Sequence, residues 1–136
     1  MIEVRFHGRG GQGAKIASRI LGRSGFLSGL YVQDFALFGA ERRGAPVVSF
    51  TRLSVESIDQ RGNIERPSLV VVLDDSLLKE ASGQVFYGVQ DGTPIIVNAE
   101  PDQLQVNPND FPKAKYFFLD LSGSVQIGRA SCRERV

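Results

Sequence analysis

The stretch Phe6-His7-Gly8-Arg9-Gly10-Gly11-Gln12-Gly13-Ala14 decides how the rest of the chain is read. Residues 1–6 before it are β-branched, aromatic and short, the composition of a strand. After it, Ala14, Ile16, Ala17, Ile20 and Leu21 recur at helical spacing, with Lys15, Arg19 and Arg23 mostly on the other side. Strand, glycine loop and helix in that order open an α/β fold. Gly22, Gly25 and Gly29 leave the end of that helix open. The spacing Gly8-x-Gly10-x-x-Gly13 also fits a dinucleotide-binding turn, where glycines admit positive φ and helix-start N–H groups favour an anion.

Working outward, residues 29–35 hold a short strand expected at 30–32, and residues 37–46 read as a charged, glycine-rich loop. Residues 47–53 alternate like a strand with one wetter face. The run Leu69-Val70-Val71-Val72-Leu73 is continuously apolar, as central parallel strands covered on both faces are. Residues 76–81 are helical, 93–98 and 115–120 are further strands, and 107–112 is turn chemistry. The expected fold is a three-layer, Rossmann-like α/β domain. Its central sheet is mostly parallel, with residues 1–6 near the middle. A last strand ending at Asp120 with no helix after it would leave the fold incomplete at its C-terminus.

The chain has 136 residues, room for one domain. Its last ten, Ile127-Gly128-Arg129-Ala130-Ser131-Cys132-Arg133-Glu134-Arg135-Val136, coincide with the translation of a common sequencing adapter. Residues 127–136 are therefore read as a non-native tail, and residues 1–126 as the domain. The tail holds three of the 16 basic and one of the 15 acidic residues, leaving 13 and 14 in the domain. A charge so near zero gives no bulk electrostatic case for nucleic acid or a membrane surface. The tail also holds the single cysteine, so residues 1–126 offer no thiolate for a disulfide, a nucleophile or an iron–sulfur cluster. With no signal-like N-terminus, the expected location is cytoplasmic.

The remaining candidate residues each carry two readings. The glycine loop can bind a cofactor phosphate held by a partner, or serve only as a strand–helix turn. Asp34 is the sole acid near the place a ribose ligand would occupy. In Glu41-Arg42-Arg43-Gly44-Ala45-Pro46, two arginines can clamp a phosphate or carboxylate, or pair across a subunit interface. His7, the lone histidine, reads as a hydrogen-bonded structural residue rather than a base. Asp74 and Asp75 follow a central strand, where metal or acid–base work and helix capping are both open. No metal-ligand spacing and no nucleophile–base pair appears in the sequence.

Taken together, residues 6–14, the run Phe38-Gly39-Ala40-Glu41-Arg42-Arg43-Gly44-Ala45-Pro46-Val47 and the later Ile64-Glu65-Arg66-Pro67-Ser68-Leu69-Val70-Val71-Val72-Leu73-Asp74 resemble the gamma subunit of pyruvate:ferredoxin (2-oxoacid:ferredoxin or flavodoxin) oxidoreductases. The resemblance covers residues 1 to about 120 in order. It implies a multi-subunit enzyme that cleaves a 2-oxoacid oxidatively, with coenzyme A, to acyl-CoA and CO₂. Electrons pass to ferredoxin or flavodoxin. Thiamine diphosphate and the iron–sulfur clusters are implied on the alpha, beta and delta subunits, and none is expected on this chain alone. The expectation is a non-catalytic subunit of an anaerobic oxidoreductase.

Gly8, Arg9, Gly10, Gly11, Gln12, Gly13, Arg42 and Arg43 are its candidate contacts to coenzyme A, and Glu41, Arg42, Arg43 and Gly44 its candidate interface. The same resemblance implies that relatives continue past residue 126. Loss of that continuation is expected to expose Val70–Leu73 and to weaken the isolated domain. Competing expectations are the matching subunit of an indolepyruvate or 2-oxoglutarate enzyme, a stand-alone dinucleotide- or phosphate-binding module, and a non-catalytic interaction protein.

Overall fold

The computed structural model describes residues 1–37, 44–100 and 113–120. The expected turn at 107–112 and the tail at 127–136 lie outside these residues. Among them the elements run β1 (Ile2–Arg9), α1 (Ala14–Leu27), β2 (Tyr31–Leu37), β3 (Pro46–Ser54), β4 (Leu69–Val72), α2 (Leu77–Glu80), α3 (Ser82–Val85), β5 (Pro94–Asn98) and β6 (Lys115–Leu119). The strands form one sheet in the order β2-β3-β1-β4-β5-β6. β1, β4, β5 and β6 pair in parallel, whereas β3 runs against both β1 and β2. The sheet is thus α/β and mostly parallel, with β1 near its middle as expected.

Alternation along each strand divides the sheet into two faces. On one, Val70, Val72, Ile95 and Val97 pack beneath Leu77, Leu78 and Val85 of α2 and α3, and each of these seven is at most 2% exposed. On the other, Val4 and Phe6 of β1 meet Ala14 of α1, with Ala17, Leu21, Leu69 and Val71 around them. Helices on both faces make the three layers.

Four expectations need correction. β2 runs to Leu37 rather than stopping at 32, because it pairs along its length with β3, from Tyr31 opposite Ser54 to Leu37 opposite Val48. Gly22 and Gly25 lie inside α1, not at its end. The helix also turns its small residues inward: Ala14, Ser18, Gly22 and Gly25 are buried, while Ile16 and Ile20 are 63% and 61% exposed. Close approach explains the choice. A Cβ on Gly25 would stand 2.5 Å from Leu53 Cδ2, so only a small-residue stripe lets α1 settle on the sheet. Lastly, of Val70–Leu73 only Val70 and Val72 are fully buried, whereas Val71 and Leu73 are half-buried. The apolar surface left open lies instead on β6, at Phe117 and Leu119, and on the outer side of α1.

Candidate functional site

β1 carries polar side chains into one face of the sheet, and they part company along its length. Arg5 and His7 are 3% and 2% exposed. Arg5 Nε donates to His7 Nε2 at 3.0 Å, and its terminal nitrogens donate to the carbonyls of Ile64, Val85 and Tyr87 at 3.3, 2.8 and 2.8 Å. Burial lowers the guanidinium to about 10, so it stays cationic at neutral pH. Burial, with a smaller push from the Arg5 charge, lowers His7 to about 3. A neutral ring accepting at Nε2 cannot also be a proton-accepting base there. This is the structural role expected for His7.

Two residues on, the strand reaches the glycine loop. Gly8 and Arg9 still belong to β1, opposite Val47 and Pro46 of β3. Gly11 and Gly13 take φ of 88° and 89°, a left-handed conformation that side chains resist. Gly13 caps α1 with no side-chain hydrogen bond and no acid in the first turn, which leaves the helix-start N–H groups as an anion-suited edge. A Cβ on Gly8 would stand 3.1 Å from that of Ala14, so this glycine sets how closely strand and helix approach.

The second signature meets the first here. Gly10 N donates to Ala45 O at 2.9 Å, Gly44 N donates to Gly10 O at 3.3 Å, and Arg9 Nη1 donates to Gly44 O at 3.2 Å. Glu41, Arg42 and Arg43 lie outside the described residues. Gly44, the end of their loop, is nevertheless bonded to the glycine turn.

Arg9 and Gln12 are tied inward. Arg9 Nη2 donates to Ser76 Oγ and to Glu80 Oε2, each at 2.6 Å, and its Nε lies 3.4 Å from Asp74 Oδ2. Gln12 Nε2 donates to Asp74 at 2.7 Å, while its Oε1 accepts from Arg9 N at 2.7 Å. The hydrogen bond to Glu80, reinforced by the charges of Glu80 and Asp74, raises the Arg9 pKa further. Burial opposes ionisation of Asp74, but hydrogen bonds from Ser76 and Gln12 and the nearby Arg9 outweigh it and hold the carboxyl below its ordinary value.

Asp74 Oδ1 accepts from Ser76 N and Oγ, closing the turn into α2. Asp74 is thus engaged in the turn that precedes α2. Among the described residues, no three His, Cys, Asp or Glu side chains gather as metal ligands do. Ser76 and Glu80, which the sequence did not single out, complete the cluster. Their signal was indirect: a short helix after a central strand places its first turn at the carboxyl ends of the sheet.

This edge is a switch point, since α1 leaves β1 over one face and α2 follows β4 on the other. It departs from a dinucleotide fold in one respect. The strand after α1 lies at the sheet edge, separated from β1 by β3, so Asp34 is not beside the glycine loop. Asp34 Oδ1 instead accepts from Ser18 Oγ at 2.9 Å.

Comparison with known proteins agrees with this fold. The sequence model of the family described as pyruvate ferredoxin/flavodoxin oxidoreductase matches residues 3–130. The pyruvate/ketoisovalerate oxidoreductases common subunit gamma of Thermococcus litoralis is 51% identical over 106 residues, 78% of this chain and 56% of that protein. Pyruvate synthase subunit PorC of Methanothermobacter thermautotrophicus is 46% identical over 102 residues, 75% of this chain and 56% of its own length. The crystal structure of the pyruvate oxidoreductase subunit PORC of Thermotoga maritima superposes with a TM-score of 0.72 at 32% identity, covering 90% of this chain and 63% of that one. The chain spans about half the length of the curated relatives it matches. No helix among the described residues is long and apolar enough to cross a membrane. The chain belongs to the pyruvate ferredoxin/flavodoxin oxidoreductase family.

Proposed function

We propose that this chain is the gamma subunit of a multi-subunit enzyme that oxidatively decarboxylates pyruvate, or a related 2-oxoacid, with coenzyme A to acyl-CoA and CO₂. Electrons leave the complex to ferredoxin or flavodoxin. The reaction's thiamine diphosphate and iron–sulfur clusters belong to the alpha, beta and delta partners. This chain contributes assembly and a surface that steers the phosphates of coenzyme A. The observation carrying the reading is the junction of the two motifs: Gly10 donates to the Ala45 carbonyl and accepts from the Gly44 N–H, so the end of the loop that bears Arg42 and Arg43 is rooted beside the glycine turn. An anion reaching that edge would meet the N–H groups at the start of α1.

Arg9 has a positioning part in this account. With its charge spent on Glu80 and Asp74, it clamps Gly44 and fixes where the second loop ends. A stand-alone dinucleotide module is the weaker reading. The strand order keeps Asp34 away from the glycine turn, and Arg9 and Gln12 occupy the crevice beside it.

The test is the charge reversal Arg42→Glu with Arg43→Glu in the assembled enzyme. The expected result is weakened assembly, or an apparent KM for coenzyme A raised roughly tenfold with less change for the 2-oxoacid, as loss of a charge-assisted clamp predicts. Unchanged assembly together with an unchanged KM for coenzyme A would refute it.

A further inference from the structure

The outer side of α1 is apolar and basic where the surface of a lone domain would be polar and mixed. Ile16, Ile20, Phe26 and Leu27 are 63%, 61%, 63% and 70% exposed. Across its 14 residues the helix carries Lys15, Arg19 and Arg23 and no acidic side chain. A groove runs between this side of α1 and the neighbouring strand, lined by Ile16, Ile20, Phe26 and Val32 with Arg19 and Arg23 at its rim. Arg23 lies over the Phe26 ring, 6.0 Å from its centroid. Asp34 also lines the groove, but its carboxylate is engaged with Ser18.

The strand beneath is an edge. Among the described residues β2 pairs only with β3, along seven residues that include no proline and no lysine. Edges of that length are ordinarily blunted by such residues or covered by another element. The face open on β6 does not compete for the same cover. It lies five strand positions away, about 24 Å across the sheet.

We propose that the flank formed by α1 and β2 docks an amphipathic helix of another subunit of the same complex. That helix presents apolar residues to Ile16, Ile20 and Phe26, and a border of Asp and Glu to Arg19 and Arg23. Charge complementarity selects the partner, because a basic helix would meet Arg19 and Arg23 at the rim, against the single carboxylate of Asp34. The run from Ile16 to Leu27 spans about 16 Å, so three turns of partner helix suffice. Laid along the groove, that helix also shields the free edge of β2. The inference rests on the subunit reading above and goes beyond it, since neither signature loop takes part.

The experiment uses the full-length subunit in its complex, with a photo-crosslinking amino acid at position 20 and peptide mass spectrometry to locate the adduct. A crosslink to an acid-bordered helix of another subunit is expected. In parallel, Arg19→Glu with Arg23→Glu is expected to weaken association roughly tenfold at low salt and to invert its salt dependence, since added salt then screens a repulsion. The melting curve of the free subunit should be unchanged, because both side chains are exposed.

Crosslinks confined to the subunit's own chain, to a second copy or to nothing would overturn the inference. So would an affinity untouched by the double reversal. If the wild-type subunit joins an active complex while the crosslinks go elsewhere, only this inference falls. If it joins no complex, the subunit reading falls with it.

Discussion

Arg5 and Arg9 stand four residues apart on one strand and one face, yet they live in different media. Arg5 is sunk among carbonyls and a neutral histidine, and it donates to the His7 ring and the carbonyls of Ile64, Val85 and Tyr87. Arg9 sits at the strand's end with Glu80 and Asp74 beside it and solvent within reach. The first uses its hydrogen bonds to tie β1 to Ile64 and to the end of α3. The second uses its fork to hold two loops in register. Buried charge of the first kind is costly, and it persists because each hydrogen-bonding group around it would otherwise be stranded. Charge of the second kind stabilises little and organises much. A strand can thus anchor the interior at one end and hold surface loops together at the other, with the boundary falling between His7 and Arg9.

The largest effect should come from Arg5→Met, which strands three carbonyls and the His7 nitrogen in the interior. A loss of about 4 kcal/mol in urea unfolding is expected. A loss below about 1 kcal/mol would show that water replaces the guanidinium and that the two regions differ less than the geometry implies.

Acid should then separate the same two regions. The unfolded chain takes up a proton at His7 near the ordinary histidine value, whereas the folded chain resists until about 3. The unfolded state therefore binds more protons across that window, and stability falls as pH falls through it. On the order of 1 kcal/mol should go between pH 6.5 and 5.5. In His7→Gln that part of the pH dependence should flatten, which a series of denaturant melts would check.

At the other end of the strand, Arg9→Ala should barely move the unfolding midpoint. Amide hydrogen exchange at Gly10 and Gly44 should instead quicken roughly tenfold as the two loops part. Global destabilisation comparable to that of Arg5→Met would erase the contrast. Smallest of all is Asp74→Asn, which keeps the shape and removes the charge. Its folded-state pKa is held below the ordinary value, so its stabilisation is present above that value and lost as pH falls through the folded one. The variant should be slightly weaker at neutral pH and indistinguishable from the parent in strong acid, as thermal melts at both pH values would show.

Much of this was legible in the residues. The apolar run at 69–73 announced a central strand because a strand buried on both faces has no polar side to show. The glycines at 8, 10, 11 and 13 announced a turn from strand to helix, and at 11 and 13 the backbone takes the left-handed angles that few other residues accept. What misled was α1. Its apolar spacing pointed Ile16 and Ile20 inward, whereas glycine and serine won the buried side. Periodicity counts hydrophobicity and not the depth of approach that a small residue permits. Strand order was also illegible. Nothing local in residues 31–37 says that they pair with β3 and not with β1, and that one exchange carries Asp34 away from the glycine turn. At the site, Gly8 to Gly13 were found as a motif, but the inward use of Arg9 and Gln12 depended on Ser76 and Glu80, more than sixty residues on.

The most direct test of the account takes residues 1–126, continued by the remaining length of a matched gamma subunit, and recovers the tagged chain anaerobically from a related host. Viologen reduction by the recovered fraction is then measured with pyruvate and coenzyme A supplied singly and together. The account predicts co-purifying thiamine-containing subunits and reduction that requires both substrates. A folded chain that recovers no partner and supports no such reduction would contradict it.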